Sequence, residues 1–257
     1  MKKFIAVLIF ILVSSLLFGC ANDKSAEEST SSDEGIEIHL TRHGKTIFNT
    51  MDHVQGWSDT PLTEEGREVA IDLGKGLTEM DLDAIYSSDA GRSIETAEII
   101  IGESGHELEL DAMHHFREMY FGKYEGLPNP VMWDDIMDLI GADDMNDVMT
   151  GGYQISDVIN AVAELDETGE AETWDEITNR LEEGLENIVS IAKDEGHKEI
   201  IVVAHGMAIA SILEMIDSDQ GIVHVGNSSI STIKHLEDDY SILGIDDMKF
   251  VEKGRAE

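Results

Sequence analysis

Three apolar runs in this chain each end in residues that can do chemistry. The run 36–40 alternates Ile36, Ile38 and Leu40 with Glu37 and His39, the period-two pattern of a strand, and Thr41-Arg42-His43-Gly44 follows it. The short run 83–87 leads into Ser88-Asp89, and Arg92 opens the helical pattern beyond. The run 199–204 is almost wholly apolar, as buried parallel strands are, and it ends at His205-Gly206. In open α/β sheets ligands bind beyond the carboxyl ends of the strands, where helix N-termini offer N–H groups to anions. If these three strands lie parallel and adjacent, two histidines and two arginines face one crevice.

That set suits a phosphoryl group. Two guanidinium groups clamp a dianion through charge-assisted hydrogen bonds. A neutral imidazole can attack phosphorus, while a second, as imidazolium, stabilises charge on the equatorial oxygens. An acid must protonate the departing alkoxide. Glu118, in His115-Phe116-Arg117-Glu118-Met119, is the candidate, because it falls between the second helix and the segment after it. Each His-Gly pair is expected to let the backbone turn tightly beside a ligand.

The elements that must hold these residues are legible as alternating strands and helices. Thr63 offers an N-cap to a helix over 63–80 with Val69, Ala70, Leu73 and Leu77 on one face. Helices are also predicted over 92–101 and 174–193, and strands over 107–110, 229–236 and 240–243. The expected fold is a three-layer α/β/α sandwich with a mostly parallel central sheet. The stretch 127–179 reads as an inserted, mainly helical lid: it holds fourteen acids and no Lys or Arg. Met113, Met119, Met132, Met137, Met145 and Met149 cluster around it. Methionines fill irregular gaps, so packing is their expected role, and an adaptable substrate wall is the alternative. His114 and His115 are expected on a strand, pointing in different directions.

The order of motifs adds a resemblance. Leu40-Thr41-Arg42-His43-Gly44-Lys45-Thr46 with Asn49, and Gln55-Gly56-Trp57-Ser58-Asp59-Thr60-Pro61-Leu62-Thr63 after it, resemble the signature of the histidine phosphatase superfamily, the phosphoglycerate-mutase-like enzymes. Ser87-Ser88-Asp89-Ala90-Gly91-Arg92 with Glu95-Thr96-Ala97 resembles its second arginine motif, and Arg117-Glu118 with Phe121-Gly122 and Glu125-Gly126 its acid motif. Val203-Ala204-His205-Gly206 and Asn227-Ser228-Ser229 resemble the last two. The resemblance implies that His43 becomes phosphohistidine, that Arg42, Arg92 and His205 line the phosphate pocket, and that Glu118 supplies the proton. It implies substrate contacts from Asn49, Gln55, Gly56 and Gly206, and no metal or other cofactor. Ser93 and Glu95 replace the commoner Ala and Gln, and Ala210 stands where an arginine often follows the second His-Gly.

Composition narrows the partners. Acidic residues number 54 against 17 basic ones, a net charge of −37, which would repel a nucleic-acid backbone. Lys2 and Lys3 precede the uncharged apolar run 4–18, too short for the roughly 20 residues of a membrane span and fitted to an export signal. Leu17-Phe18-Gly19-Cys20 resembles the lipobox of bacterial lipoproteins, and Cys20 is the single cysteine. The expected organisation is a signal peptide 1–19, a lipidated tether 20–35 and one domain 36–257. Acyl chains on Cys20 would hold the protein on the extracytoplasmic face of the cell membrane; a plain secretory signal or an uncleaved anchor is the alternative. A metal-independent phosphomonoesterase of small phosphate esters is the expected function. A phosphoglycerate mutase-type transferase and a catalytically silent binding protein are the alternatives.

Overall fold

In the computed structural model, residues 35–256 are described; the expected signal peptide, Cys20 and nearly all of the tether lie outside the described residues. Six strands form one sheet: β1 (Ile36–Arg42), β2 (Ala84–Ser87), β3 (Leu110–Ala112), β4 (Glu199–Ala204), β5 (Ile230–Leu236) and β6 (Asp239–Asp247), in the order β3-β2-β4-β1-β5-β6. The first four in that order run parallel, and β5 and β6 add an antiparallel edge. β4 lies between β1 and β2, and Ile200 to Ala204 are buried on both faces. This is why its sequence is a continuous apolar run.

Among the described residues the helices are α1 (Ile47–Met51), α2 (Glu64–Gly76), α3 (Gly91–Ser104), α4 (Asn129–Ile140), α5 (Met145–Thr150), α6 (Ile155–Leu165), α7 (Trp174–Glu195), α8 (Gly206–Ile216) and α9 (Lys249–Arg255). Strand alternation divides them between two layers. Ile201 and Val203 of β4 face a core made with Leu73 of α2, Ala97 and Ile100 of α3 and Val251 of α9. Ile200 and Val202 face the larger core, with Ile136 of α4, Ile159 of α6, Leu181 and Ile188 of α7 and Ile209 of α8. The described residues form one compact unit.

The caps are those the sequence offers. The Thr63 hydroxyl accepts from Gly66 N at 3.0 Å, and Thr173 forms a capping box with Glu176 at the start of α7. Three expectations need correction. The helix from Thr63 stops at Gly76 rather than 80, since Gly74 and Gly76 weaken its last turn by about 1 kcal/mol each relative to alanine. The strand expected at 107–110 is β3, displaced to Leu110–Ala112. His114 and His115 lie on a 3₁₀ turn, not a strand, with ring centroids 4.0 Å apart.

Candidate active site

Because β1, β2 and β4 are parallel neighbours, their carboxyl ends deliver Arg42-His43, Ser88 and His205 to one edge of the sheet. Backbone bonds lock this edge. His43 N and Ser88 N reach across to the carbonyls of Ala204 and Val203, at 3.0 and 2.8 Å. The two imidazoles meet edge to face, with centroids 5.2 Å apart.

The His43 ring is buried, and its Nδ1 lies 2.8 Å from the Gly44 carbonyl oxygen. A carbonyl only accepts, so Nδ1 carries the proton and Nε2 keeps a lone pair. Burial, then the charges of Arg92 and Arg42, hold this histidine well below the ordinary imidazole range. It is therefore neutral at pH 7. Asn227 Nδ2 fixes the turn from outside, donating to the His43 carbonyl at 2.8 Å and to Asn49 Oδ1 at 3.2 Å.

His205 differs from the expected imidazolium. Its Nδ1 accepts from Arg92 Nη2 at 2.9 Å, since a guanidinium only donates, and its Nε2 lies 3.4 Å from Ser93 Oγ. Burial comes first, then Arg92, His43, Arg42 and Arg180, in holding it well below the ordinary range. The ring is therefore neutral at pH 7.

Arg92 is likewise not a free bidentate clamp. Its Nη1 donates to Ser58 O and Asp59 Oδ1, and its Nη2 to Gly56 O and His205. Its Nε is buried without a partner. Arg42 donates through Nη1 to Val225 O at 2.8 Å, and its Nε is also buried and unpartnered. Each arginine thus keeps a buried donor unspent, an arrangement that costs free energy until an acceptor arrives.

The Glu118 carboxylate caps α8. Its Oε2 accepts from Met207 N at 3.0 Å, and its Oε1 from Ala208 N at 2.9 Å and its own neighbour Met119 N at 3.0 Å. Burial pushes the carboxyl up, while those N–H groups and the charges of Arg92 and Arg42 pull it back. The shift remains upward.

A cavity of about 370 Å³ opens over this edge, lined near its floor by Arg42, His43, Asn49, Gln55, Glu118 and Gly206. Arg92, His205 and Gly56 do not line it. A second, smaller hollow on the other side of Glu118 is lined by Gly56, Trp57, Asp89 and Arg117. Asn49 and Gln55 are also structural: Thr46 Oγ1 donates to Gln55 Oε1 at 2.6 Å, and Thr46 N donates to Asn49 Oδ1 at 3.2 Å. Neither Gly44 nor Gly206 has the positive φ expected of a special turn. Gly44 is required by the close approach of the Gly66 carbonyl, and a Cβ at Gly206 would make ordinary contact with the Arg42 guanidinium.

Sequence reasoning missed what holds Glu118. Arg180 of α7 donates to the carbonyls of His115, Arg117 and Glu118 at 2.8, 2.9 and 3.3 Å, and forms a two-pronged pair with Glu172. A cation beside the apolar stripe of Ile177, Leu181 and Leu185 is the signal that could have marked it. Glu125 ties the next loop, accepting from Trp57 N, Ser58 N and Phe121 N. Gly56 must be glycine there, since a Cβ would strike Glu125 Oε1 and the Met119 carbonyl.

Among the described residues, one set could gather a metal ion: Glu37, His39 and Glu199. It lies toward the amino ends of β1 and β4, with Glu37 roughly 20 Å and His39 roughly 13 Å of strand from His43. There His39 Nε2 is already 2.7 Å from Glu199 and Nδ1 3.0 Å from Thr232 Oγ1, while Lys234 stands 3.5 Å from Glu37.

Comparison with known proteins follows the same residues. The Histidine phosphatase superfamily (branch 1) matches residues 38–248. The chain is 26% identical over 207 residues to the probable phosphoglycerate mutase GpmB of Erwinia tasmaniensis, covering 78% of this chain and 85% of that one. It is 34% identical to the crystal structure of a phosphoglycerate mutase from Bacillus anthracis, with a TM-score of 0.82 over 87% of this chain and 99% of that one. A mycobacterial glucosyl-3-phosphoglycerate phosphatase, at 20% identity and a TM-score of 0.65 over 82% of this chain and 99% of that one, shares the fold. With its two histidines, two arginines and glutamate gathered at one sheet edge inside the matched region, the chain belongs to the histidine phosphatase superfamily.

Proposed function

We propose that this protein is a phosphomonoesterase working through a phosphohistidine at His43. The observation that carries the reading is His43 itself: its Nδ1 is tied to Gly44 O, so Nε2 offers a lone pair beside two arginines whose Nε donors are unspent. A phosphoryl dianion seated in the cavity would bring an acceptor to Arg42, which lines it and keeps its Nε unspent. Its charge would also raise the affinity of His205 for a proton, favouring the imidazolium once substrate is bound.

Nε2 of His43 forms a bond to phosphorus as the ester P–O bond breaks, and the electron pair leaves with the alcohol oxygen. Glu118, its carboxyl pushed upward by burial, gives that oxygen a proton. Water then attacks the phosphohistidine, Glu118 takes its proton, and the P–N bond breaks to return the pair to Nε2. Inorganic phosphate leaves. No step calls for an oxidant, a reductant or a metal ion.

Relatives bearing the names of a mutase and of a phosphatase share this fold, so names do not choose between them. A mutase must retain a phosphorylated acid between its two steps. The cavity favours the phosphatase reading, because Arg42 is the single Lys or Arg among its lining residues. The apolar run 4–18 and Cys20 support a lipid-anchored enzyme on the extracytoplasmic face, with α4–α6 as a lid over the cavity.

The test is hydrolysis of phenyl phosphate by the full chain with a chelator present, beside His43→Ala. Turnover that vanishes in the variant is expected. Equal turnover in both would overturn the reading, as would a folded wild-type protein with no activity on any phosphate ester.

A further inference from the structure

The cavity over His43 has two unlike ends. Its floor is polar, but its walls are Met132, Trp133, Met145, Met149, Met207 and Val223, among other apolar side chains. Of the polar wall residues, His53 sets Nδ1 against the Gly126 carbonyl, Asn129 donates to Asp52, and His224 sets Nδ1 against Asp246, and the wall carries no Lys or Arg. Ala210, at the position where a family arginine often stands, belongs to the same wall. Outside it, α4, α5 and the turn between them carry exposed Asp134, Asp138, Asp143 and Asp144 and no cation.

We propose that this chamber selects phosphate monoesters whose alcohol part is an uncharged apolar group, and turns away esters that carry a carboxylate, a second phosphate or several hydroxyls. The proposal rests on reading the cleft as a phosphoester site. A volume of about 370 Å³ is near the lower end for small-molecule pockets, which suits a short alkyl or single aryl group. An ionised carboxylate placed against these walls would lose its water and find no Lys or Arg to pair with. Four methionines make the walls pliable, so selection follows polarity and size more than shape. For Met132, Met145 and Met149 the adaptable-wall alternative is therefore the reading adopted.

A homologous series separates this effect from leaving-group chemistry, since ethyl, propyl, butyl and hexyl phosphate release alcohols of nearly equal acidity. With the full-length chain in phospholipid nanodiscs, kcat/KM is expected to rise about fourfold per methylene buried until the chamber is full. 3-Phosphoglycerate and glycerol phosphate should fall at or below ethyl phosphate. Met149→Lys, at an exposed position of α5, should flatten the series. Binding of the matching alkylphosphonates, measured by calorimetry, needs no turnover and should strengthen by the same factor. Turnover with a flat series in both assays would overturn the chamber proposal and leave the phosphatase reading intact. Phosphonates that bind progressively tighter, with no ester hydrolysed, would do the reverse. Faster turnover of 3-phosphoglycerate than of hexyl phosphate would also overturn the proposal.

Discussion

Replacing Arg180 by methionine tests whether Glu118 is placed from a distance. The side chain is 12% exposed and its partner Glu172 is 14% exposed. Methionine keeps much of the stem but removes three charge-assisted bonds to the carbonyls of His115, Arg117 and Glu118. It also strands Glu172, whose Oε2 still accepts from Tyr120 N at 2.9 Å. Breaking a buried pair from one side costs about 3–5 kcal/mol, and the residual exposure places this one near 3 kcal/mol. Domains of this size have a total stability of roughly 5–15 kcal/mol, so the variant should fold. Its Tm should drop by about 6–12 °C, at roughly 2–4 °C per kcal/mol. Freed carbonyls let the 115–118 segment drift, and a shift near 1 Å can cost roughly 100-fold in rate. Expected, then, is a 10- to 100-fold loss in kcat on butyl phosphate with KM changed less than threefold. The double variant Arg180→Met/Glu172→Gln relieves the stranded charge, so it should regain most of the Tm and little of the kcat. Thermal unfolding and steady-state kinetics on the three proteins suffice. A single variant with unchanged kcat, or a double variant with full activity, would refute the positioning role.

Two further outcomes follow from Glu118 and the histidines. Glu118→Gln should lower kcat/KM, which ends at phosphoryl transfer to His43, by about 10²–10⁴ on alkyl phosphates but by less than tenfold on nitrophenyl phosphate, because that leaving group needs no proton; equal losses in kcat/KM on both would remove Glu118 from the acid role. Attack requires neutral His43 and a protonated Glu118, the first held down and the second pushed up by burial. The kcat/KM profile, which reports the free enzyme, should therefore rise with pH along a limb below the ordinary imidazole pKa of about 6.5. It should fall again as Glu118 ionises, above the ordinary carboxylate value. A bound dianion raises both groups, so the kcat profile should be displaced to higher pH. A kcat/KM that stays flat from about pH 4 to 9, with chemistry rate-limiting, would contradict the assignments.

What could be read in the sequence was what local pattern determines. The runs 36–40 and 199–204 declare their strands, and parallel pairing then obliges His43 and His205 to meet. Commitments made by tertiary bonds were not legible. Nothing local says that Arg92 spends its Nη groups on Gly56, Ser58, Asp59 and His205, or that Arg180 reaches carbonyls more than sixty positions away. The same holds for α9, a polar helix of seven residues in which Val251 is the one buried large side chain. Its packing partner α2 lies far back in the chain. Methionine patterning told that 127–179 would pack, but not that Met145 and Met149 would turn toward His43's cavity.

The central claim is that phosphoryl passes through Nε2 of His43 on its way to water. Rapid quenching of the full chain with ³²P-labelled phenyl phosphate tests it most directly. The account predicts an acid-labile, alkali-stable label on His43 that forms before inorganic phosphate appears, decays as phosphate is released, and is absent from His43→Ala. Phosphate released with no enzyme label under chemistry-limited conditions, or a label mapped to His205, would contradict it.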